Sequence, residues 1–238
     1  MKKVHFIDCG ANVGNAIDWA KNKYKEKLIR IDAFEPEYLN YTHLLEKYFA
    51  DNTLSIHKEA VWIENTVKEF FVQYWGTRTG SSLIFDKEQV IKKGQYIPKH
   101  YMGKELTISV SDEHKIKDPH SSGHYAALDL QVIWSKECVN ECGVPCLDFS
   151  EWIFNNLKKK NYNILKIDIE GAEYAVVKHL LDTGASELID EWLVEFTPEA
   201  KVPESYDQEV VDRFMTTNLN YVDWHSEEAI EQWRQETL

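Results

Sequence analysis

Residues 3–15, "KVHFIDCGANVGN", constrain the fold more than any other stretch. "KVHFID" reads as a strand, and a turn framed by Gly10 and Gly14 follows at once. Asn15 then opens "NAIDWAKNKY", where Ala16, Trp19 and Ala20 recur at helical spacing. Glycine supplies the positive φ of a tight strand-to-helix turn and lets the main chain approach a ligand closely. A strand that feeds a helix this abruptly opens a unit in which the next strand runs parallel to the first.

The alternation continues. "LIRIDAFEP" (28–36) reads as a second strand stopped by Pro36, and "YLNYTHLLEKYF" (38–49) as a helix. "LSIHKEAVW" (54–62) is expected to be a third strand. "VKEFFVQYW" (67–75) is expected to be a fourth that pairs with it through a turn at "IENT". An irregular region, 76–145, holds two short strand candidates, 105–110 and 127–134. After it come a helix at 148–160, a buried strand at 163–173 that breaks at Gly171 into a helix ending near Gly184, and a strand at 190–196. The tail adds a helix (207–218), a strand (221–225) and a last helix (226–235). These elements predict an α/β fold: a doubly wound, mostly parallel sheet with helices on both faces, in one domain over 1–238. Residues 84–143 form an insertion after the third strand. Ligands of such sheets bind at the carboxyl ends of the strands.

Charge narrows the partners. Twenty-seven Lys and Arg against 40 Asp and Glu leave a net charge of −13, a poor match for a nucleic-acid backbone, so no nucleic-acid partner is expected. The dense basic clusters, "KNKYKEK" (21–27) and "KKK" (158–160), read as solvated helix ends. No apolar run approaches a membrane span and no signal peptide is visible. Cys9 sits in the first strand turn, where a disulfide is not expected, so the expected compartment is the reducing cytoplasm.

The glycine turn is not a dinucleotide fingerprint. Asn12 stands where the middle glycine would allow close approach to a pyrophosphate, and Asn15 replaces the third glycine. No Gly-Lys-Ser/Thr follows, so no phosphate loop forms. Glu35 ends the second strand, where an acid in a doubly wound sheet reaches ribose hydroxyls. A ribose-binding acid beside a turn without phosphate chemistry suits a nucleoside with an amino-acid tail, which is S-adenosylmethionine.

A second signature is "LKIDIEGAEYAVVKHLL" (165–181). Taken with "FIDCGANVGN", "AFEPEYLNY" (33–41), "GSSL" (80–83), "VPCLDFSEWI" (144–153) and "EWLVEF" (191–196), it resembles the FkbM family of S-adenosylmethionine-dependent methyltransferases. The resemblance implies the class I methyltransferase (Rossmann-like) fold and methyl transfer to oxygen, with sugar hydroxyls of glycans, glycolipids or natural products as frequent acceptors. It places the cofactor against Asp8, Gly10, Ala11, Asn12, Gly14, Asn15, Glu35, Glu59, Ala60, Ser82 and Asp168. Ala60 would let adenine pack against the backbone, with Glu59 or Val61 nearby. The insertion looks longer than the family's usual connection and is expected to shape the acceptor pocket. The tail shows one strand where the fold usually closes with a hairpin.

Three carboxylates are expected at the reacting end. Asp168 and Glu170, two apart at a strand end, would share a side, and Glu195 ends the neighbouring strand. Asp168 is the expected general base, with Glu170 and Glu195 orienting acceptor hydroxyls; the alternative is that the three hold Mg²⁺. Glu173, in the first turn of the next helix, reads as structural, and Trp62 as core. Cys138, Cys142 and Cys146 lack metal-site spacing. His100, His114, His120 and His124, with Trp75, Tyr96, Tyr101, Tyr125 and Trp134, are candidates for the acceptor pocket. Competing readings are RNA ribose methylation, which usually wants a basic groove and a lysine in the catalytic cluster, a metal-dependent O-methyltransferase of a small molecule, and an inactive cofactor-binding module. Oligomeric state is not legible.

Overall fold

The computed structural model describes residues 2–68, 70–73, 82–84, 96–98, 106–107, 131–132, 143–200, 202–217 and 220–224. Most of the expected insertion, the tail helix at 226–235, Cys138, Cys142 and the four insertion histidines lie outside them. So do Trp75, Tyr101, Tyr125 and Trp134.

The main sheet has six strands: β1 (Val4–Cys9), β2 (Leu28–Phe34), β3 (Leu54–His57), β11 (Tyr162–Ile167), β12 (Glu191–Val194) and β13 (Tyr221–Asp223). Their order is β13-β12-β11-β1-β2-β3, and every neighbouring pair is parallel. β1 begins in the centre and the chain winds outward in both directions, so β1 and β11 flank the switch point. Among the described residues five α-helices connect or cover the strands: α1 (Asn15–Tyr24), α2 (Tyr38–Lys47), α3 (Phe149–Asn156), α4 (Glu173–Thr183) and α5 (Gln208–Thr217). β1 is buried at all six positions, as a strand covered on both faces must be. Val4, Phe6, Ile31 and Ile164 pack with Ile17, Trp19 and Ala20 of α1. Ile7, Cys9, Phe34, Leu165 and Ile167 pack with Phe149 and Ile153 of α3 and Val176, Val177 and Leu180 of α4. Burying each such large side chain contributes roughly 1.5–3 kcal/mol.

Helix ends follow the sequence. Glu37 caps α2, its carboxylate accepting from the Leu39 and Asn40 amides, and Asp148 caps α3 in the same way through Ser150 and Glu151. Gly184 closes α4 in the left-handed conformation.

The expected third strand is two. β3 joins the main sheet, whereas β4 (Ala60–Trp62) leaves it for a second, three-stranded sheet. The single strand expected over 67–75, paired with the third, is also two: β5 (Thr66–Lys68) and β6 (Phe71–Gln73) join different sheets. β5 does follow the turn after β4, but β10 (Val144–Asp148) lies between them, parallel to β4 and antiparallel to β5. The sequence does not mark β10 as a strand, because Gly143 and Pro145 punctuate it. Pro145 is tolerated because β10 pairs with β4 only from Cys146 onward, so at Pro145, near the start of the strand, only β5 lies alongside. Trp62 and Cys146 are buried in the core beside this sheet. The strand candidates at 105–110 and 127–134 contain β8 (Leu106–Thr107) and β9 (Gln131–Val132), which pair antiparallel. β6 (Phe71–Gln73) pairs antiparallel with β7 (Tyr96–Pro98).

Three strands are also joined by charge. The buried Asp32 carboxylate of β2 accepts from His5 Nε2 (2.6 Å) on β1, from His57 Nε2 (2.8 Å) on β3, and from Arg30 through Nε (2.6 Å) and Nη2 (2.9 Å). These bonds hold Asp32 well below the usual aspartate range against the opposing effect of burial. A depressed folded-state pKa stabilises above the unfolded value and loses that contribution as pH falls. Asp32→Asn is therefore expected to destabilise the fold by roughly 3–5 kcal/mol near neutrality, and urea titrations should show the gap to wild type shrinking as pH falls below about 4. A gap independent of pH would contradict this account of Asp32.

Candidate active site

The turn after β1 is built by what it must avoid. Gly10 has φ 81°, and a Cβ there would lie 1.9 Å from the Asp168 carbonyl oxygen, so only glycine lets β1 and β11 end side by side. The turn then spends its own donors. The Gly10 and Ala11 amides donate to the Phe34 carbonyl (3.0 and 3.1 Å), Asn12 N to Glu35 Oε2 (2.7 Å), Val13 N to Asn12 Oδ1 (2.8 Å) and Gly14 N to the Ala11 carbonyl (2.8 Å). Five consecutive amides are satisfied inside the protein, which leaves none of them for an anion. Gly14 caps α1 in the left-handed conformation, pressed against Tyr48.

Behind the turn lies Lys166, which sequence reasoning assigned no role although it stands inside the "LKIDIEG" block. Its ammonium is buried, 3.1 Å from Asp8 Oδ1 and 3.5 Å from Asp168 Oδ2, and it donates to the Gly10 carbonyl (2.9 Å). Asp8 and Asp168 hold the Lys166 pKa above its usual value although burial pulls it down. Burial raises the Asp8 pKa and Lys166 opposes that rise. Asp8 thus reaches the glycine turn through Lys166, and it is not among the residues that line the cleft.

A cleft enclosing about 600 Å³, part of it open to solvent, lies at the carboxyl ends of the strands. Gly10, Asn12 and Glu35 form one wall, and Asp168, Ile169 and Ala172 another. Phe34, Pro36, Ala60, Val61, Phe70 and Leu83 complete it. Five expected site residues therefore meet here: Gly10, Asn12, Glu35, Ala60 and Asp168. Ala11, Gly14, Asn15, Glu59, Glu170 and Glu195 are not among the lining residues. Ser82 is buried, and its hydroxyl is turned elsewhere: it donates to the Glu170 carbonyl (2.7 Å) and accepts from Ile84 N (2.9 Å). Its neighbour Leu83 faces the cleft.

Glu35 is buried, and its two carboxylate oxygens accept from the amides of Asn12 and Glu37, each at 2.7 Å. Burial pushes its pKa up to about 7 against these bonds. Two backbone donors fix its rotamer and leave acceptor capacity on the carboxylate. Asp168 follows β11 with its side chain 24% exposed. Burial raises its pKa to about 6, with Glu195 and Glu170 adding to the rise and Lys166 opposing it.

Glu170 and Glu195 are thus electrostatic neighbours of Asp168, but not through strand alternation. β11 ends at Ile167, and Glu170 adopts a left-handed conformation with φ 56°. Among the described residues no group of three or more His, Cys, Asp and Glu is placed to hold a metal ion. Glu173 is fully buried and accepts from the amides of Gly171 (2.8 Å) and Thr197 (2.5 Å), tying the chain after β11 to the chain after β12. Ser150, His179 and Asp148 also cluster, but one atom, His179 Nε2, faces both partners at 3.0 Å, so no proton relay runs through the ring.

A central strand, a glycine turn, and an acid closing the second strand together form a Rossmann-like arrangement. Residues 8–228 match the methyltransferase FkbM domain, and the chain belongs to that family. A solved structure, "Methyltransferase FkbM from Methylobacillus flagellatus KT", is similar at 15% identity and a TM-score of 0.42. That match covers 91% of this chain but 37% of the other, so the chain spans little more than a third of that protein's length. No curated protein sequence matches.

The Asp8–Lys166 pair is open to a double-mutant cycle. Lys166→Met leaves a buried carboxylate without its cation and should cost roughly 3–5 kcal/mol. The same substitution combined with Asp8→Asn should cost distinctly less than the sum of the two single changes, as measured by chemical denaturation. Additive losses would mean that the two side chains do not act as a pair.

Proposed function

We propose that the protein is an S-adenosylmethionine-dependent O-methyltransferase that transfers the methyl group to a sugar hydroxyl. One observation carries the cofactor assignment. The cleft places Glu35 and Asp168 on its walls, has no lysine or arginine among its described lining residues, and adjoins a turn whose amides are internally satisfied. That chemistry disfavours a pyrophosphate and suits a ribose attached to a cationic centre. Glu35, held by two amides, would accept from the ribose diol. Phe34, Ala60, Val61 and Leu83 offer an apolar slot for adenine. Asp8 and Lys166, fixing Gly10 from behind, would set the wall facing the amino-acid tail.

When bound, the cofactor would supply a methyl group on a positively charged sulfur, open to in-line displacement. The protein's part is alignment and proton removal. A sugar hydroxyl placed against Asp168 gives its proton to the carboxylate as the new C–O bond forms. The pKa near 6 leaves Asp168 ionised at neutral pH yet basic enough to help. Glu170 and Glu195 would orient acceptor hydroxyls. RNA ribose methylation is less well supported: Lys166 is buried in its ion pair, and the net charge is −13. The family resemblance and the absence of a phosphate cradle support the sugar reading, and residues 84–143 would shape the acceptor pocket.

Calorimetry with S-adenosylhomocysteine tests the cofactor step. Ribose hydroxyls donate best to an ionised carboxylate, so affinity should rise with pH and level off above about 7. Glu35→Gln should weaken binding and remove that pH dependence; unchanged affinity would refute the ribose assignment. Methyl transfer from labelled cofactor to a panel of sugars tests the reaction. Asp168→Asn should lower kcat by about 10²–10⁴-fold with cofactor affinity little changed, and wild-type kcat should rise with pH through about 6. Near-normal turnover in Asp168→Asn would exclude it as the base, and loss of activity with chelator, restored by Mg²⁺, would favour the metal alternative.

A further inference from the structure

The fold gathers lysines that the sequence keeps apart. In a parallel sheet all strands enter from one edge, and the helices, running back, end there too. β2 is entered through Lys25 and Lys27, β1 through Lys2 and Lys3, and β11 through Lys158, Lys159 and Lys160; all seven are exposed. β2, β1 and β11 are adjacent. Tyr162 N donates to the Lys3 carbonyl (2.8 Å), and Lys3 Nζ reaches the Glu26 carbonyl (3.3 Å), so the three entrances form one continuous rim. Its acidic members are Glu26 within it, Asp51 at the β3 entrance, which pairs with Lys21, and a border group of Glu187, Asp190 and Glu191 at the β12 entrance, where Asp190 pairs with Lys2 (2.9 Å).

Large apolar side chains stand along the same edge. Phe49, just after α2, is 89% exposed, Phe154 in the last turn of α3 is 51% exposed, and Ile29 at the start of β2 is 43% exposed. Phe49 is tied to this rim because Asp51, two residues on, pairs with Lys21 of α1. Exposed phenylalanines among lysines form an interfacial arrangement: the ammonium groups meet anionic headgroups while the rings enter the acyl boundary. A nucleic-acid backbone would use the charges but gain little from Phe49, Phe154 and Ile29. Arg30 of β2 is committed to Asp32, so it does not offer this edge the bidentate phosphate grip that arginine provides.

We infer that the strand-entry edge is a peripheral docking surface for anionic lipid bilayers, with Lys3, Lys25, Lys27 and Lys158–Lys160 supplying charge and Phe49 and Phe154 the apolar anchors. The chain binds flat on this edge, and the carboxyl-end cleft faces away from the bilayer, open to acceptors from the aqueous side. This holds whatever ligand the cleft takes.

Sedimentation of the full chain with vesicles tests it. The chain should bind phosphatidylserine-rich vesicles at low salt, lose binding as salt rises, and ignore pure phosphatidylcholine. The combined change Lys3→Glu, Lys27→Glu, Lys159→Glu should weaken vesicle binding roughly tenfold or more, and Phe49→Ser should weaken it several-fold, with melting by circular dichroism unchanged in both. Failure of the wild-type chain to bind anionic vesicles, binding that neither variant weakens, or displacement from vesicles by an equal charge concentration of polyuridylate would overturn the proposal.

Discussion

One buried ammonium organises the centre of this protein. Lys166, on β11 beside Asp8 of β1, neutralises Asp8, lies near Asp168 and bonds to the Gly10 carbonyl. A buried carboxylate without that cation would cost several kcal/mol. Because the Gly10 carbonyl is held from behind and Gly10 leaves no room for a side chain beside Asp168, the glycine turn has one position. The cleft wall, the Glu35 carboxylate and the base candidate then inherit their places from this contact.

The cleft's electrostatics follow from the same arrangement. Lys166 is held inside the core, so among the described residues the carboxylates that reach the cleft have no cation beside them on its surface. Burial raises the pKa of Glu35 and Asp168 into the range where protonation responds to a ligand or an acceptor. The amides of the glycine turn, which in a dinucleotide site would face phosphate, are consumed by Phe34, Glu35 and the turn itself. The described surface of the cleft therefore offers carboxylates and apolar side chains in place of a phosphate cradle.

Much of this was legible in the sequence, for physical reasons. α1 has the bounds that its apolar spacing indicates, because Gly14 starts it and the basic run ends it. β1, β2, β11 and β12 were recognisable as buried strands closed by glycine or proline. Other features depend on tertiary contacts that local pattern does not encode. Nothing in "LSIHKEAVW" marks the point where the chain leaves one sheet for another, and β10 slots between β4 and β5 from some eighty residues away. The role of Lys166 was hidden because a lysine inside an apolar strand explains itself only when its partner, Asp8, comes from another strand. Glu170 defied the two-residue alternation because the strand had already ended. Ser82, in a family-like block, proved to brace the Glu170 carbonyl instead of facing the cleft.

The central claim is that this cleft is a nucleoside site with Glu35 as its ribose acceptor. A crystal structure with S-adenosylhomocysteine tests it most directly. The account predicts both ribose hydroxyls within hydrogen-bond distance of the Glu35 carboxylate, adenine against Ala60 and Val61, and the sulfur facing Asp168. Nucleoside density elsewhere, or a ribose in the cleft that does not reach Glu35, would contradict it.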